Sequence, residues 1–230
     1  ILKHCSKKHA EQLGAVGKRF LLRQQPSLEA QITNYADEIA YNNHDIDDGI
    51  RAGLITLEQL RSVPLFCRFH DEVLSRYPTL EPKRQRHETI RRMINFLVLD
   101  LLNTTQAHIT QLQPKSIADI RQHNAPLVAY SPEVAVENQA LKVFLRTQVY
   151  HHWKVNRMTR KARQVIADLF TAFMDDVGLL PTKAQAHMAK CAASGDPHPQ
   201  ARAVADYIAG MTDRFALAEH LRVYDPRSLG

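Results

Sequence analysis

Five side chains between residues 37 and 48 are of the types that bind metal ions and polar ligands, and they recur at helical spacing. At about 100° per residue, four of them fall within about 60° of one another on a helix, with the fifth at the edge. The four are Asp37, Tyr41, His44 and Asp48, and Asp45 stands at the edge. A carboxylate oxygen such as that of Asp37 suits Mg²⁺ or Mn²⁺, and neighbouring imidazole makes Fe²⁺ acceptable. One helix face could therefore meet a single ligand.

Residues 27–49 predict the helix that must carry this face. Pro26 interrupts the preceding chain, Ser27 can cap free backbone N–H groups, and Gly49 is placed to end the helix. The opposite side is apolar and is expected to face a core. Its members are Ile32, Ala36, Ile39 and Ile46. A polar face with several acids is also typical of a surface that only meets solvent, so spacing alone leaves both interpretations open.

Two stretches resemble a known family. ADEIAYNNHDIDDG, residues 36–49, resembles the last metal-site segment of the HD-domain deoxynucleoside triphosphate triphosphohydrolases, the bacterial dGTPase-like branch. RAVADYIAGMTDRFAL, residues 202–217, resembles the C-terminal segment of the same family, and the distance between the two stretches also fits. The resemblance therefore covers nearly the whole chain, and it implies the C-terminal part of a larger all-α enzyme with a multi-helix HD-domain-type bundle.

The resemblance also implies a chemistry and residue roles. In the family a divalent ion, held by a His, a His-Asp pair and a downstream Asp, serves the hydrolysis of a dNTP to the deoxynucleoside and triphosphate. The downstream Asp matches Asp37, with Mg²⁺ or Mn²⁺ expected and Fe²⁺ as an alternative. Tyr41 matches the tyrosine that packs against the deoxyribose, and Asp45 matches the acid that hydrogen-bonds a sugar hydroxyl. Expected partners are a dNTP, further copies of the chain in a homo-oligomer, and DNA in some relatives.

The chain departs from this family in one respect. The first His and the His-Asp pair are not recognisable before Asp37, and the dipeptide His44-Asp45 lies after it. We therefore expect the upstream metal-ligand region to be missing from these 230 residues, and the segment alone to be inactive. The sequence assigns no catalytic residue. A non-enzymatic helical module that binds nucleotide or nucleic acid stays open as an alternative.

Composition agrees with both interpretations. A net charge of +6 suits an anionic partner, although it also suits solubility alone. No stretch approaches the roughly 18 apolar residues that span a bilayer, so no membrane association is expected. Cys5, Cys67 and Cys191 are odd in number and far apart, which favours unpaired thiols and a cytoplasmic protein.

The rest of the chain predicts further helices in one domain over residues 1–230, without a strand pattern. Thr56 and Gln59 form a capping box, and Ser131-Pro132-Glu133 is a strong helix start. The last helix is expected over residues 200–224.

A long helix is expected over residues 83–113. Its expected buried stripe is Ile90, Ile94, Leu97, Val98, Leu101 and Leu102. Its first turns are rich in cations, namely Lys83, Arg84, Arg86, His87, Arg91 and Arg92. One or two of these arginines could reach triphosphate oxygens, which Arg matches in bidentate fashion, or the cluster could be a solvated face.

Overall fold

The computed structural model describes residues 7–228, and these form twelve α-helices and no β-strand. The all-α prediction is therefore confirmed. The chain divides into two compact units, the first ending at His152 and the second beginning at Trp153. The prediction of one domain over residues 1–230 stays a prediction. Within the described residues, no helix is both long and apolar enough to cross a membrane.

In its described part, residues 7–152, the first unit contains eight α-helices and a π-helical turn. They are α1 (Lys7–Gln12), α2 (Gly14–Leu21), α3 (Leu28–Arg51), α4 (Leu57–Leu60), α5 (Pro64–Arg76), α6 (Pro82–Leu112), α7 (Ile117–Gln122) and α8 (Pro132–Leu145), and the turn (Arg146–Tyr150) continues α8. Helices α3, α5, α6 and α8 pack together around one apolar core. Its fully buried side chains include Ile46, Phe66, Leu97 and Leu141.

Helix α3 turns a different side to this core than its apolar pattern predicted. Ile39 and Ile46 are buried as expected, but Ile32 is 43% exposed and Ala36 is also exposed. Gln31 takes the core position instead, because its amide oxygen accepts hydrogen bonds from the backbone N–H groups of residues 127 and 128, at 2.9 and 3.1 Å. Backbone groups that are buried away from water need such partners, so a polar side chain replaces an apolar one here.

Gly49 does not end α3, which continues to Arg51. The residue is buried inside the helix, and a Cβ atom there would lie 3.0 Å from Ile55 Cδ1 and 3.3 Å from Val149 Cγ2. The glycine therefore allows close packing, and the prediction that it terminates the helix was wrong.

Helix α6 lies close to its predicted bounds, but its buried stripe is rotated. The buried residues are Thr89, Met93, Leu97, Leu101 and Thr105, at intervals of four. Val98 and Leu102, expected inside, are 38% and 54% exposed. Thr89 tolerates burial because its hydroxyl donates to the Gln85 carbonyl at 2.8 Å.

As far as residue 228, the second unit contains four α-helices and a 3₁₀ turn. They are α9 (Trp153–Asp175), the turn (Val177–Leu179), α10 (Thr182–Ala193), α11 (Pro199–Ala209) and α12 (Asp213–Tyr224). Leu169, Phe173 and Val204 are fully buried in a core of their own. The single final helix that the sequence predicted is two helices, because Thr212 leaves the helical conformation and caps α12 by accepting from Phe215 N–H at 3.3 Å.

Candidate functional site

Helix α3 positions the candidate site residues, and its start follows the predicted cap. Ser27 adopts an extended backbone, and its Oγ accepts a hydrogen bond from Ala30 N–H at 3.4 Å. Glu29 lies in the first turn, where a negative charge is favoured by the helix dipole. The helix runs without a break past all five candidate residues, so their predicted spacing on one helix is retained.

The central part of this face is open to solvent. Tyr41 is 60% exposed, and Asp37, His44 and Asp48 are exposed as well. Within the part of the chain that the structure describes, no group of three or more His, Cys, Asp or Glu side chains is arranged to hold a metal ion. Asp37 therefore offers one carboxylate of suitable chemistry, but the described residues do not complete a coordination shell.

Asp45 is half-buried and is turned toward the end of α8. The Tyr150 hydroxyl donates a hydrogen bond to Asp45 Oδ2. Burial raises the pKa of Tyr150, and the hydrogen bond to the carboxylate raises it further. The phenol therefore keeps its proton and remains a donor. Sequence reasoning missed Tyr150, which is 105 residues away along the chain.

Asp47, which the sequence did not single out, joins α3 to the basic start of α6. Arg86 Nε lies 2.6 Å from Asp47 Oδ1, and the two side chains are only 13% and 21% exposed. His87 Nε2 lies 3.6 Å from the same oxygen. The acidic helix and the cationic cluster, which were separate features of the sequence, are therefore adjacent in the structure.

Two further arginines of this cluster, Arg91 and Arg92, are held by acids. Arg91 donates from Nε and Nη2 to both oxygens of Glu88 at 2.8 Å, and Arg92 donates from Nε to the same carboxylate at 2.9 Å. The hydrogen bonds from Arg91 and then Arg92 lower the pKa of Glu88 to about 2. Arg92 also pairs with Glu72. These arginines are thus less available to a bound anion than the sequence suggested.

Two cations at the start of α6 remain uncompensated. Lys83 and Arg84 form no ion pair with any residue that the structure describes. Both are exposed, and they lie one turn or less before Arg86. If α6 contacts phosphate oxygens, these two side chains are the better placed to do so.

Polar contacts also join α3 to α8. Glu38 accepts hydrogen bonds from Asn138 Nδ2 and Lys142 Nζ, both at 2.8 Å. Tyr35 and Tyr130 meet edge to face beside this pair, with ring centroids 5.1 Å apart. This half-buried network holds the two helices in register on the side of α3 next to Asp37 and Tyr41.

The described residues form an all-α fold in which Asp37 and Tyr41 are exposed on α3, beside the basic start of α6. Residues 128–222 match the family model of the phosphohydrolase-associated domain. This part of the chain is therefore similar to a domain associated with phosphohydrolases.

Similarity to individual proteins extends over almost the whole chain. A deoxyguanosinetriphosphate triphosphohydrolase-like protein of Bordetella pertussis is 53% identical over 225 residues, covering 98% of this chain and 56% of the relative. Proteins with the same name from Thiobacillus denitrificans and Geobacter metallireducens are 50% and 42% identical, covering 97% and 98% of this chain and 57% and 56% of the relatives.

The resemblance drawn from residues 36–49 and 202–217 is therefore confirmed, since the chain is similar over almost its whole length to proteins named deoxyguanosinetriphosphate triphosphohydrolase-like. The chain spans about half the length of the curated relatives it matches.

Proposed function

We propose that this chain is part of a metal-dependent hydrolase that converts a dNTP, of the dGTP type, to the deoxynucleoside and triphosphate. The similarity to relatives named deoxyguanosinetriphosphate triphosphohydrolase-like carries the proposal. The exposed face of α3 supports it, because its acid and phenol are open to a ligand rather than engaged in the core.

In the proposed site Asp37 is one oxygen ligand of a divalent ion, Mg²⁺ or Mn²⁺, with Fe²⁺ as an alternative. Within the described residues no group of three or more His, Cys, Asp or Glu side chains is arranged to complete the coordination of this ion. When bound, such an ion polarises phosphoryl oxygens and lowers the pKa of a bound water. The contribution of Asp37 is a negative charge at an exposed position that approaching ions can reach.

The substrate contacts follow α3 at intervals of about one turn, or about 5.4 Å. The exposed ring of Tyr41 is free to pack against the deoxyribose. Tyr150 binds Oδ2 of Asp45, which leaves Oδ1 to accept a hydrogen bond from a sugar hydroxyl. Tyr150 thereby orients the acid, and the expected roles of Tyr41 and Asp45 are compatible with their surroundings.

The full-length protein with Asp37→Asn tests this proposal. Asn preserves the shape of the side chain but removes the charge that attracts the ion, so we expect hydrolysis and bound metal to be lost while the melting temperature changes little. Asp48→Asn is the matched control, since it removes another exposed acid from the same helix face. Metal content, melting temperature and dNTP turnover are measured for both variants.

The proposal also gives the three site residues different roles, so their variants should lose different properties. Asp45→Asn and Tyr41→Ala should retain metal and instead lose substrate affinity and discrimination at the sugar. If Asp37→Asn keeps near-normal turnover and its metal, the assignment of this residue is wrong and the face of α3 only meets solvent.

A second candidate function, a helical module that binds nucleic acid, is favoured by the start of α9. Residues 153–163 contain five Lys and Arg side chains and no acid. Arg157 also stacks on Trp153, with its guanidinium carbon 4.7 Å from the ring centroid. Cations beside an exposed aromatic ring suit phosphates and stacked bases. This alternative is supported if the protein binds single-stranded DNA without a divalent ion. The salt dependence of that binding should also become weaker in Arg160→Gln.

Three further proposals concern the assembly, a partner and the location of the protein. Assembly as a homo-oligomer follows the family, and exposed apolar side chains such as Val136 and Leu102 would suit it. DNA as a partner rests on the basic start of α9. A cytoplasmic location rests on the free thiols of Cys67 and Cys191, whereas Cys5 lies outside the described residues.

A further inference from the structure

Helices α1 and α2 form a hairpin that the core of the first unit does not hold. Between residues 7 and 22 the described side chains are exposed except at Ala10 and Gly17, which meet where the two helices touch. No described residue of the hairpin belongs to the core around Ile46. Just after the hairpin, Gln25 N–H donates a hydrogen bond to the Arg121 carbonyl at 3.0 Å.

The hairpin exposes a dense group of large apolar side chains. Each is between 39% and 59% exposed, and the five are Leu13, Val16, Phe20, Leu21 and Leu22. At about 100° per residue the first four fall within an arc of about 140°, and Lys18 and Arg19 lie on the opposite side. Single exposed apolar residues are common, but a contiguous group of them marks an interaction site.

The hairpin is also too short to be stable without further contacts. Helix α1 has 6 residues and α2 has 8. Isolated helices shorter than about 12–15 residues are marginal in water, and most helical stability comes from packing an apolar face. The contact between α1 and α2 buries Ala10 and Gly17 but leaves the apolar face of α2 open. A further element is therefore needed to cover this face.

Charge and chain length indicate what covers it. Residues 12–28 contain three cations and no acid, so a complementary surface is apolar at its centre and acidic at its rim. The chain covers only 56% of the Bordetella pertussis relative, so a full-length protein has ample further chain to supply such a surface. A segment of the same chain is also present at a high effective concentration, unlike a second copy or a lipid surface.

We propose that the apolar face of α2 is the docking surface for a segment of the full-length protein that lies outside these 230 residues. Phe20 lies near the middle of the apolar arc and anchors the contact. Only residues 22–27 separate α2 from α3, so the docked segment is tied to the helix that carries Asp37. None of the apolar residues takes part in hydrolysis, and the proposal therefore does not rest on the hydrolytic function.

Photo-crosslinking of the full-length protein tests the proposal. The photoreactive analogue p-benzoylphenylalanine takes the place of Phe20, and irradiated protein is separated on a denaturing gel before mass spectrometry. We expect a product of monomer mass in which position 20 is joined to a peptide outside residues 1–230, with acids beside its apolar side chains. Phe215 is the matched control, since its ring is 41% exposed but its helix already packs in the second core. The same analogue there should not join that peptide.

Hydrogen exchange of the unmodified full-length protein gives a second measurement, which no substitution can disturb. The amides of α2 should exchange at least about tenfold more slowly than those of α7, a helix of 6 residues that also exposes an apolar side chain, Ile117.

Three results would overturn the proposal. A crosslinked product of twice the monomer mass would place a second copy on this face. Binding of the wild type to phosphatidylglycerol vesicles that is lost in Phe20→Ser would place a lipid surface there. If position 20 joins no peptide and α2 exchanges as fast as α7, the face is uncovered.

Discussion

Hydrogen bonds and ion pairs decide which charged side chains near α3 remain available to a ligand. Asp37 is exposed, whereas Asp45 is bound by Tyr150 and Asp47 by Arg86. Three acids within eleven residues therefore have three different surroundings. The difference follows from the direction in which each points, because successive positions on a helix are rotated by about 100°.

Glu88 gives a prediction about pH. Its pKa is lowered to about 2 from the ordinary value of 4.5, so ionised Glu88 stabilises the folded state above about pH 4.5, and this stabilisation is lost as the pH falls toward 2. Glu88→Gln should therefore lower the melting temperature at pH 7, and the gap from the wild type should close toward pH 2. Thermal melts of both proteins from pH 2 to pH 7 measure this difference in melting temperature.

Glu11→Gln is the control for this experiment, since it removes one exposed carboxylate from α1 that pairs with no described residue. A gap between Glu88→Gln and the wild type that stays constant over the whole pH range would contradict the ion-pair account of Glu88.

At the scale of helices, the contact between α1 and α2 depends on one glycine. A Cβ atom on Gly17 would lie 1.7 Å from the carbonyl oxygen of Ala10, which is backbone and cannot rotate away. Gly17→Ala must therefore separate the two helices, although alanine is intrinsically better in a helix by about 1 kcal/mol. We expect the clash to dominate, with faster amide hydrogen exchange in residues 7–21.

Gly210→Ala is the matched control, because its added Cβ would find no atom closer than 3.5 Å and the backbone there is right-handed. This variant should be neutral or slightly stabilising. If amide hydrogen exchange in residues 7–21 is unchanged in Gly17→Ala, the close packing of α1 against α2 is contradicted.

At the scale of the whole molecule, each of the two units has its own buried core. Phe173 is fully buried in the second unit, and its ring meets Tyr207 with centroids 5.6 Å apart. Phe173→Ala should lower the free energy of unfolding by about 3–5 kcal/mol, as is usual when a buried ring is removed. We expect hydrogen exchange to increase mainly in residues 153–228, because local stability follows the core that each segment packs against.

Phe170→Ala is the control on the same helix. Because Phe170 is 36% exposed, its replacement should lower the free energy of unfolding far less. Equal loss of protection in residues 7–152 would mean that the two cores unfold as one cooperative unit, contrary to this prediction.

The sequence by itself determined the fold class, most helix starts and the resemblance to a known family. Ser27, Thr56 and Ser131 cap helices as predicted, because capping and proline act within a few residues of the chain. The resemblance to the dGTPase-like family is confirmed by relatives up to 53% identical. The roles of Asp37, Tyr41 and Asp45 stay predictions, although α3 carries all three as expected.

Only the tertiary structure decided how the helices are rotated and which charges meet. Gln31 is in the core and Ile32 is outside, because the buried N–H groups that Gln31 serves lie 96 and 97 residues away. Tyr150 and Arg86 reach Asp45 and Asp47 from 105 and 39 residues away. Helical periodicity fixes which residues share a face, but the neighbouring elements select the face that is buried, since burial depends on the contacts that each side can satisfy.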